Sequence, residues 1–480
     1  MTPKHKRILF VSCGVAVLLV VVITALVLFI NLNVYKPRIE AAASDAIGMD
    51  FKIGGPMRIV LFPRFGVSLE KVLIKNKEMD FFSAEKVRIG LRLFPLIKRE
   101  VRISEFTVIK PKITIERDKN GRFNFEGPMQ KPAKEEFPAA LLTMGSFLIS
   151  KGDLVYLDRI SGAGTELNGI DLQITSLSLR TESSRSILRN VSFSGNFRCK
   201  VLKTKNFEAK NIGADIKGKD GIFDISPITM DFFGGTEKGA IKADLTGDSP
   251  LLKIQFAATN FDFEKFVGAL SKKKIMKGQM DFSLNIVTKG KSLEEMKRRM
   301  NGDASLRGEN LLLYGMDLDS LLSNIAESQS FSLVDVGAFF LAGPLGTALT
   351  KGYDFAGVYK ETRGGQGIIK KLVSEWRIKN GIAEAEDVAL STKRNRIAMK
   401  GGLDFVNSRF DDVTVAALDE KGCAKFSQKI RGPFRKPQIE KVSTLKSLVG
   451  PAVKLFKKAQ KFVGLGKCKV FYKGSVKHPV

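Results

Sequence analysis

The sequence predicts a mainly β protein: an N-terminal transmembrane helix, then a long curled antiparallel sheet (a gutter or groove) with a few flanking helices. Three observations carry this. A 23-residue run without a charge, Ile8–Ile30, lies near the start of the sequence. Most of the chain beyond it alternates apolar and polar residues, the side-chain period of strands with one buried face. Turn pairs such as Asn120-Gly121, Lys219-Asp220-Gly221 and Asn380-Gly381 punctuate the alternation.

The anchor comes first. At about 1.5 Å of rise per residue the run spans roughly 34 Å as a helix, enough to cross a hydrocarbon core of about 30 Å. A cleaved secretory signal has a shorter apolar core and a small-residue site close behind it. Here Asn31-Leu32-Asn33-Val34-Tyr35-Lys36-Pro37 comes next, and Ala41-Ala42-Ala43 comes late. Lys4, Lys6 and Arg7 precede the run and keep that end cytoplasmic. The body then lies across the membrane.

The cleanest strand is Lys86–Leu93, with Val87, Ile89, Leu91 and Leu93 on one face and Lys86, Arg88 and Arg92 on the other. Ile113/Ile115, Ile170/Leu172/Ile174, Val191/Phe193/Phe197, Leu252/Ile254/Phe256 and Met280/Phe282/Leu284/Ile286 repeat the pattern. Such alternation reads as antiparallel pairing, because parallel sheets show continuous apolar runs joined by long helical crossovers. Lys151-Gly152-Asp153 reads as another turn. Helical patterns are few: Ala41–Ile47, Lys265–Leu270, Leu293–Met300, and a helix through Leu318, Leu321 and Leu322 capped by Asp317 or Asp319. Val334–Leu341 is strongly apolar, and residues 130–136 form a polar linker. In the tail, Leu445, Leu448, Val449, Ala452, Phe456, Ala459 and Val463 share one helical face, and Lys446, Lys454, Lys457, Lys458 and Lys461 fall mostly on the other. A basic amphipathic helix suits a membrane surface. It equally suits a cap over one end of the sheet.

With 480 residues the chain is long enough for a large core and roughly three domains. A mean hydropathy of −0.02 argues against further spans. Histidine occurs only at His5 and His478, which removes most routes to general-base catalysis and His-ligated metals. There is no G-x-S-x-G and no phosphate-binding loop. No enzyme, metal or cofactor is expected. Phe is abundant at 35, against one Trp and six Tyr, so the interior surface is apolar without polar handles. The expected choice lies between a lipid-accessible groove and a closed, dry core.

The net charge is +28. Residues 421–480 hold 16 Lys/Arg and one acid, Glu440. Behind a membrane anchor the expected partner is an anionic lipid surface, not nucleic acid. The cysteines are Cys13, Cys199, Cys423 and Cys468, with no metal spacing. Cys423 and Cys468 could pair across the basic tail in an oxidising compartment.

Pro63-Arg64-Phe65-Gly66 opens a strand, Phe94-Pro95-Leu96-Ile97 closes one, and Pro111 runs through Asp118-Lys119-Asn120-Gly121-Arg122-Phe123-Asn124. Gly315-Met316-Asp317-Leu318 reads as a helix start, and Gly432-Pro433-Phe434-Arg435-Lys436-Pro437 as a closing strand. In this order these segments resemble the AsmA family of Gram-negative envelope proteins. The resemblance covers about 35–440. It implies an inner-membrane anchor, a periplasmic body, a gutter-shaped sheet and a role in outer-membrane biogenesis and homeostasis. Larger relatives are thought to carry phospholipid along an apolar groove.

The organisation expected is a cytoplasmic flank (1–7), the anchor (8–30), an AsmA-like N-terminal module (31–130), a middle sheet (131–290), an AsmA-like C-terminal module with a helical insertion (291–440) and a basic tail (441–480). Phospholipid, the inner membrane and other envelope proteins are the expected partners. The lipid-facing candidates are Val87, Ile89, Leu91, Leu93, Ile113, Ile115, Val191, Phe193, Phe197, Leu252, Ile254, Phe256, Met280, Phe282, Leu284 and Ile286. The alternative from another class is a non-enzymatic scaffold or regulator of outer-membrane protein assembly.

Overall fold

The computed structural model describes residues 31–62, 64–76, 79–98, 102–126, 142–179, 187–270, 274–324, 365–434, 436–440, 443–444 and 469–479. Among these residues no helix is long and apolar enough to cross a membrane. The anchor run, the 130–136 linker, Val334–Leu341 and the tail helix with its five lysines lie outside them. The chain divides into two compact units, Met1–Lys205 and Asn206–Val480. The described residues are mainly strand.

Unit 1 begins with α1 (Lys36–Ile47), which has a proline in its first turn and ends at Gly48 with φ 67°, the left-handed stop that glycine favours. Its Glu40 and Ser44 side chains accept from the Ile53 and Phe51 backbone N–H groups at 2.7 and 2.9 Å. These bonds fasten the helix to β1 (Asp50–Ile53). β2 (Met57–Val60) and β1 both pair with β3 (Gly66–Asn76). The sheet continues through β4 (Met79–Leu91), β5 (Ile103–Arg117), β6 (Leu142–Asp158), β7 (Ala163–Leu179) and β8 (Val191–Thr204). Two short helices, α2 (Leu93–Ile97) and α3 (Ile187–Asn190), were not expected.

The motif glycines and asparagine have structural reasons. A Cβ on Gly66 would lie 2.2 Å from the Ile89 carbonyl oxygen, so only glycine lets β3 approach β4 there. Beyond β5, the Asp118 carboxylate accepts from the Asn120 and Arg122 N–H groups at 2.8 and 2.9 Å, an Asx turn. Those backbone bonds hold its carboxyl below the usual range. Gly121 takes φ 84°. The buried Asn124 then bonds back to β5: its Nδ2 donates to the Thr114 carbonyl at 2.7 Å, and its Oδ1 accepts from Glu116 N at 2.9 Å.

Unit 2 runs through β9 (Glu208–Lys219), β10 (Ile222–Phe232), β11 (Gly235–Asp244), β12 (Leu251–Asp262), β13 (Met276–Lys277), β14 (Gln279–Lys289) and β15 (Asn301–Tyr314). It continues with β16 (Gln366–Lys379), β17 (Ile382–Ser391), β18 (Arg396–Asp404), β19 (Arg409–Leu418), β20 (Ala424–Pro433), β21 (Gln438–Ile439) and β22 (Ser443–Thr444). Every pairing in this unit is antiparallel. Three expected helices are present. α4 (Phe263–Leu270) is capped by Asp262, whose carboxylate accepts from Glu264 N at 3.0 Å. α5 (Leu293–Arg298) is capped by Ser292. α6 (Leu318–Asn324) is capped by Asp317, which accepts from Asp319 N at 3.0 Å. Asp319 instead accepts from the Asn395 side chain at 2.7 Å and from Thr392.

Three expectations need correction. β5 and β6 pair in parallel; β5 ends at Arg117 and β6 begins at Leu142, a connection long enough for a crossover. Lys151-Gly152-Asp153 is no turn but a bulge inside β6, with Lys151 at φ 53°. A bulge and a turn need the same left-handed residue, so sequence does not separate them. Leu93 does not extend β4: it opens α2 and is 53% exposed.

Cys199 is a free, buried thiol whose ionisation is pushed up by burial. Cys423 is disulfide-bonded; its expected partner, Cys468, lies outside the described residues.

Candidate functional site

In each unit one face of the sheet is apolar, and registration shows which side chains share it. In unit 1, Val87, Val108, Ile149, Leu172 and Phe197 face one another in turn across β4–β8. Phe82, Ile113, Leu154, Leu167 and Leu202 form a second row. In unit 2, Ile216, Ile225, Ile241, Ile254 and Ile286 make a row of isoleucines across β9, β10, β11, β12 and β14.

Burial divides this apolar face into closed and open stretches. Ile53, Met57, Leu69, Val72, Ala84, Val87 and Val108 form a closed cluster over β1–β5, with Phe82 and Ile89 against it. A larger closed core runs from Ala258 and Phe261 of β12 through β20 and takes in Phe263 and Val267 of α4 and Leu318 and Leu322 of α6. Between Val108 and Ala258, by contrast, the only buried hydrophobic residues described are Cys199 and Ala209. Ile113, Ile115, Val191, Phe193, Phe197, Leu252, Ile254 and Phe256 are all half-buried.

The candidates therefore fall into two groups. Val87, Met280, Phe282 and Ile286 are buried core residues, with Ile89, Leu284, Ile254 and Phe256 packed against the same clusters. Leu91 is half-buried at the end of β4. Ile113, Ile115, Val191, Phe193, Phe197 and Leu252 line the open stretches, and Ile254 and Phe256 sit where the open stretch meets the core of unit 2. Aromatic contacts mark both borders: Phe106, packed against the closed cluster of unit 1, stacks on Phe147 with centroids 5.8 Å apart, and Phe256 meets the core residue Phe282 at 6.2 Å. These offset and tilted arrangements are favourable for rings. Large apolar side chains left half-open in adjoining rows form an apolar lane.

One titratable group interrupts the apolar face. Glu237 faces Met230 on β10 and Ala258 on β12. It is 1% exposed, and neither carboxyl oxygen has a hydrogen-bond partner. Burial, with a smaller contribution from the nearby Asp231 charge, pushes its pKa up to about 7. The sequence Gly234-Gly235-Thr236-Glu237-Lys238 reads as a solvated turn. Only the register places Glu237 on the inner face.

On the other face of unit 2, the segment 469–479 packs over Val373, Ala389, Ala398, Ala416 and Leu418 through Tyr472 and Val476. The Tyr472 hydroxyl donates to Asp387 and accepts from Val476 N at 3.0 Å. Burial, then the bond to Asp387, raises the Tyr472 pKa. The Arg396 guanidinium donates to the Val476 carbonyl at 3.2 Å and lies 5.7 Å from the Tyr472 ring centre. This segment does not open onto the lane. Among the described residues, no group of three or more His, Cys, Asp or Glu could hold a metal ion.

No curated protein matches the chain. The family description "AsmA family" matches residues 2–207 and 190–387, which include the Pro63–Gly66, Asp118–Asn124 and Gly315–Leu318 motifs. Those matches cover most of the sequence, and the chain belongs to the AsmA family.

Proposed function

We propose that this chain is a membrane-anchored envelope protein of outer-membrane homeostasis that holds or transfers phospholipid, with acyl chains lying on the half-buried apolar faces of β5–β8 and of β9–β12. The observation that carries this reading is the lack of any fully buried Leu, Ile, Val, Phe or Met among the described residues between Val108 and Ala258. Each methylene moved from water onto such a surface contributes about 0.8 kcal/mol. The contribution is the same all along a uniform lane, so a chain can slide without leaving a deep well. Four strands at about 4.8 Å spacing span about 14 Å, close to one leaflet of a hydrocarbon core about 30 Å thick.

Ile113, Ile115, Val191, Phe193, Phe197 and Leu252 are the lipid-facing residues, with Ile254 and Phe256 at the border with the closed core. Ile8–Ile30 anchors the chain in the inner membrane with its body in the periplasm. Lys446, Lys454, Lys457, Lys458 and Lys461 touch an anionic surface, and Cys423 pairs with Cys468. The closed core over β14–β20 favours a second reading for that region, a scaffold that engages other envelope proteins without lipid. Native mass spectrometry with lipid extraction, on the full chain exchanged into a minimal neutral detergent, separates the two. Several phospholipids per chain support lipid holding. A folded, lipid-free chain sinks it and leaves the scaffold.

A further inference from the structure

The polar face of unit 1 carries a feature unrelated to the lane. A concavity of about 620 Å³ lies over β1 and β3–β5, and Lys52, Lys71, Lys110 and Lys112 surround it. Leu73 and Ser83 lie on its floor, Val72 and Ala84 border it while their side chains belong to the closed cluster of the other face, and its one carboxylate is Glu85. The lysines converge because of register and two left-handed residues. Lys52, Leu73, Ser83 and Lys112 face one another in turn across the four strands. Phe51, Ile74, Phe82 and Ile113 form the adjacent row on the opposite face. Lys71 and Lys110 sit at φ 54° and 49°, a conformation lysine rarely takes, while the pairing on either side of each keeps its register. Both side chains border the same hollow.

The negative charge already present does not balance these lysines. Glu85 accepts from the Lys110 Nζ at 2.7 Å, which holds its carboxyl below the usual range. Lys52 lies 3.6 Å from Asp50. Among the described residues, Lys71 and Lys112 have no ion pair. Two uncompensated ammonium groups therefore share a hollow floored by Leu73 and Ser83. Ammonium groups are compact, strongly hydrated point charges that suit phosphate oxygens.

We propose that this concavity binds a phosphate-bearing anion, taken as a lipid headgroup or as a soluble phosphate ester, with Lys71 and Lys112 as its principal contacts. It lies on the face opposite the lane and stands or falls independently of lipid carriage there.

The test measures acylation rates of individual lysines by mass spectrometry. The full chain is held in neutral detergent micelles alone, with glycerol phosphate added, or with phosphatidylglycerol doped into the micelle. Acylation needs the neutral amine, and a bound anion favours the ammonium form. Labelling of Lys71 and Lys112 is expected to slow about tenfold, the effect of one decade in proton affinity. Lys370 and Lys379, exposed on β16, should keep their rates. Slowing with glycerol phosphate assigns a soluble ester; slowing only with phosphatidylglycerol assigns a headgroup. No slowing in either arm overturns the proposal. So does equal slowing at Lys370 and Lys379, which would be general counterion screening. In the K71Q/K112Q variant, any slowing at Lys52 and Lys110 should vanish, and persistence there would also overturn it.

Discussion

Replacing Glu237 by Gln should change how stability depends on pH, and the structure sets the size. The folded chain holds this carboxyl in an apolar row with neither oxygen partnered, raising its pKa from 4.5 to about 7. Above pH 4.5 the unfolded chain releases the proton while the folded chain retains it until about pH 7. Stability is therefore fully present below pH 4.5, falls as pH rises through this window, and is level above it. The displacement corresponds to about 3 kcal/mol at 1.36 kcal/mol per decade. A glutamine amide has nothing to titrate, so the Glu237→Gln variant should gain about 3 kcal/mol relative to the native chain between pH 4.5 and pH 8. Urea unfolding of both proteins at several pH values measures this. The chain's one tryptophan, Trp376, is buried in the same unit, so its fluorescence reports the relevant transition. A stability difference that stays flat across the window would refute the buried, unpartnered carboxyl.

Three further outcomes rest on the packing. Phe197→Asp puts a charge on a half-buried side chain and should cost about 1 kcal/mol, whereas Leu313→Asp, at a fully buried position, should cost more than about 4 kcal/mol; thermal unfolding of both variants checks the contrast. Asn124→Ala removes two side-chain bonds to β5 and should cost about 2–4 kcal/mol, with hydrogen exchange rising first at Glu116. Tyr472→Phe deletes the bonds to Asp387 and Val476 and should cost about 1–3 kcal/mol, read as earlier proteolytic cleavage within 469–479.

The strands were legible because a side-chain period of two survives any tertiary context. Ile113/Ile115 and Met280/Phe282/Leu284/Ile286 lie on strands as read. What that period cannot convey is what lies above the face. Phe197 and Phe282 obey the same rule in sequence, yet one is half-open and the other belongs to the closed core of unit 2. Residues from α4 and α6 join that core, and no local pattern around Phe282 announces them. Lys71, Lys110 and Lys151 each take a left-handed backbone inside a strand, at Lys151 with a bulge against β7, which blurs the alternation there. Glu237 was hidden by its neighbours, since Gly-Gly-Thr-Glu-Lys has turn composition. The Asp118–Asn124 motif was readable as a signature, but its reason, a turn bonded back onto β5, needed coordinates.

The central claim is that apolar chains lie on the half-buried lane. The most direct test places a photo-crosslinking phenylalanine at Ile115, Phe193 and Phe197 of the full chain, in native membranes. Gln173, Ser194 and Gln255, exposed residues of β7, β8 and β12, serve as controls. Phospholipid adducts at the three lane positions and none at the controls is the result predicted. Adducts at neither set, or at both alike, would contradict the account.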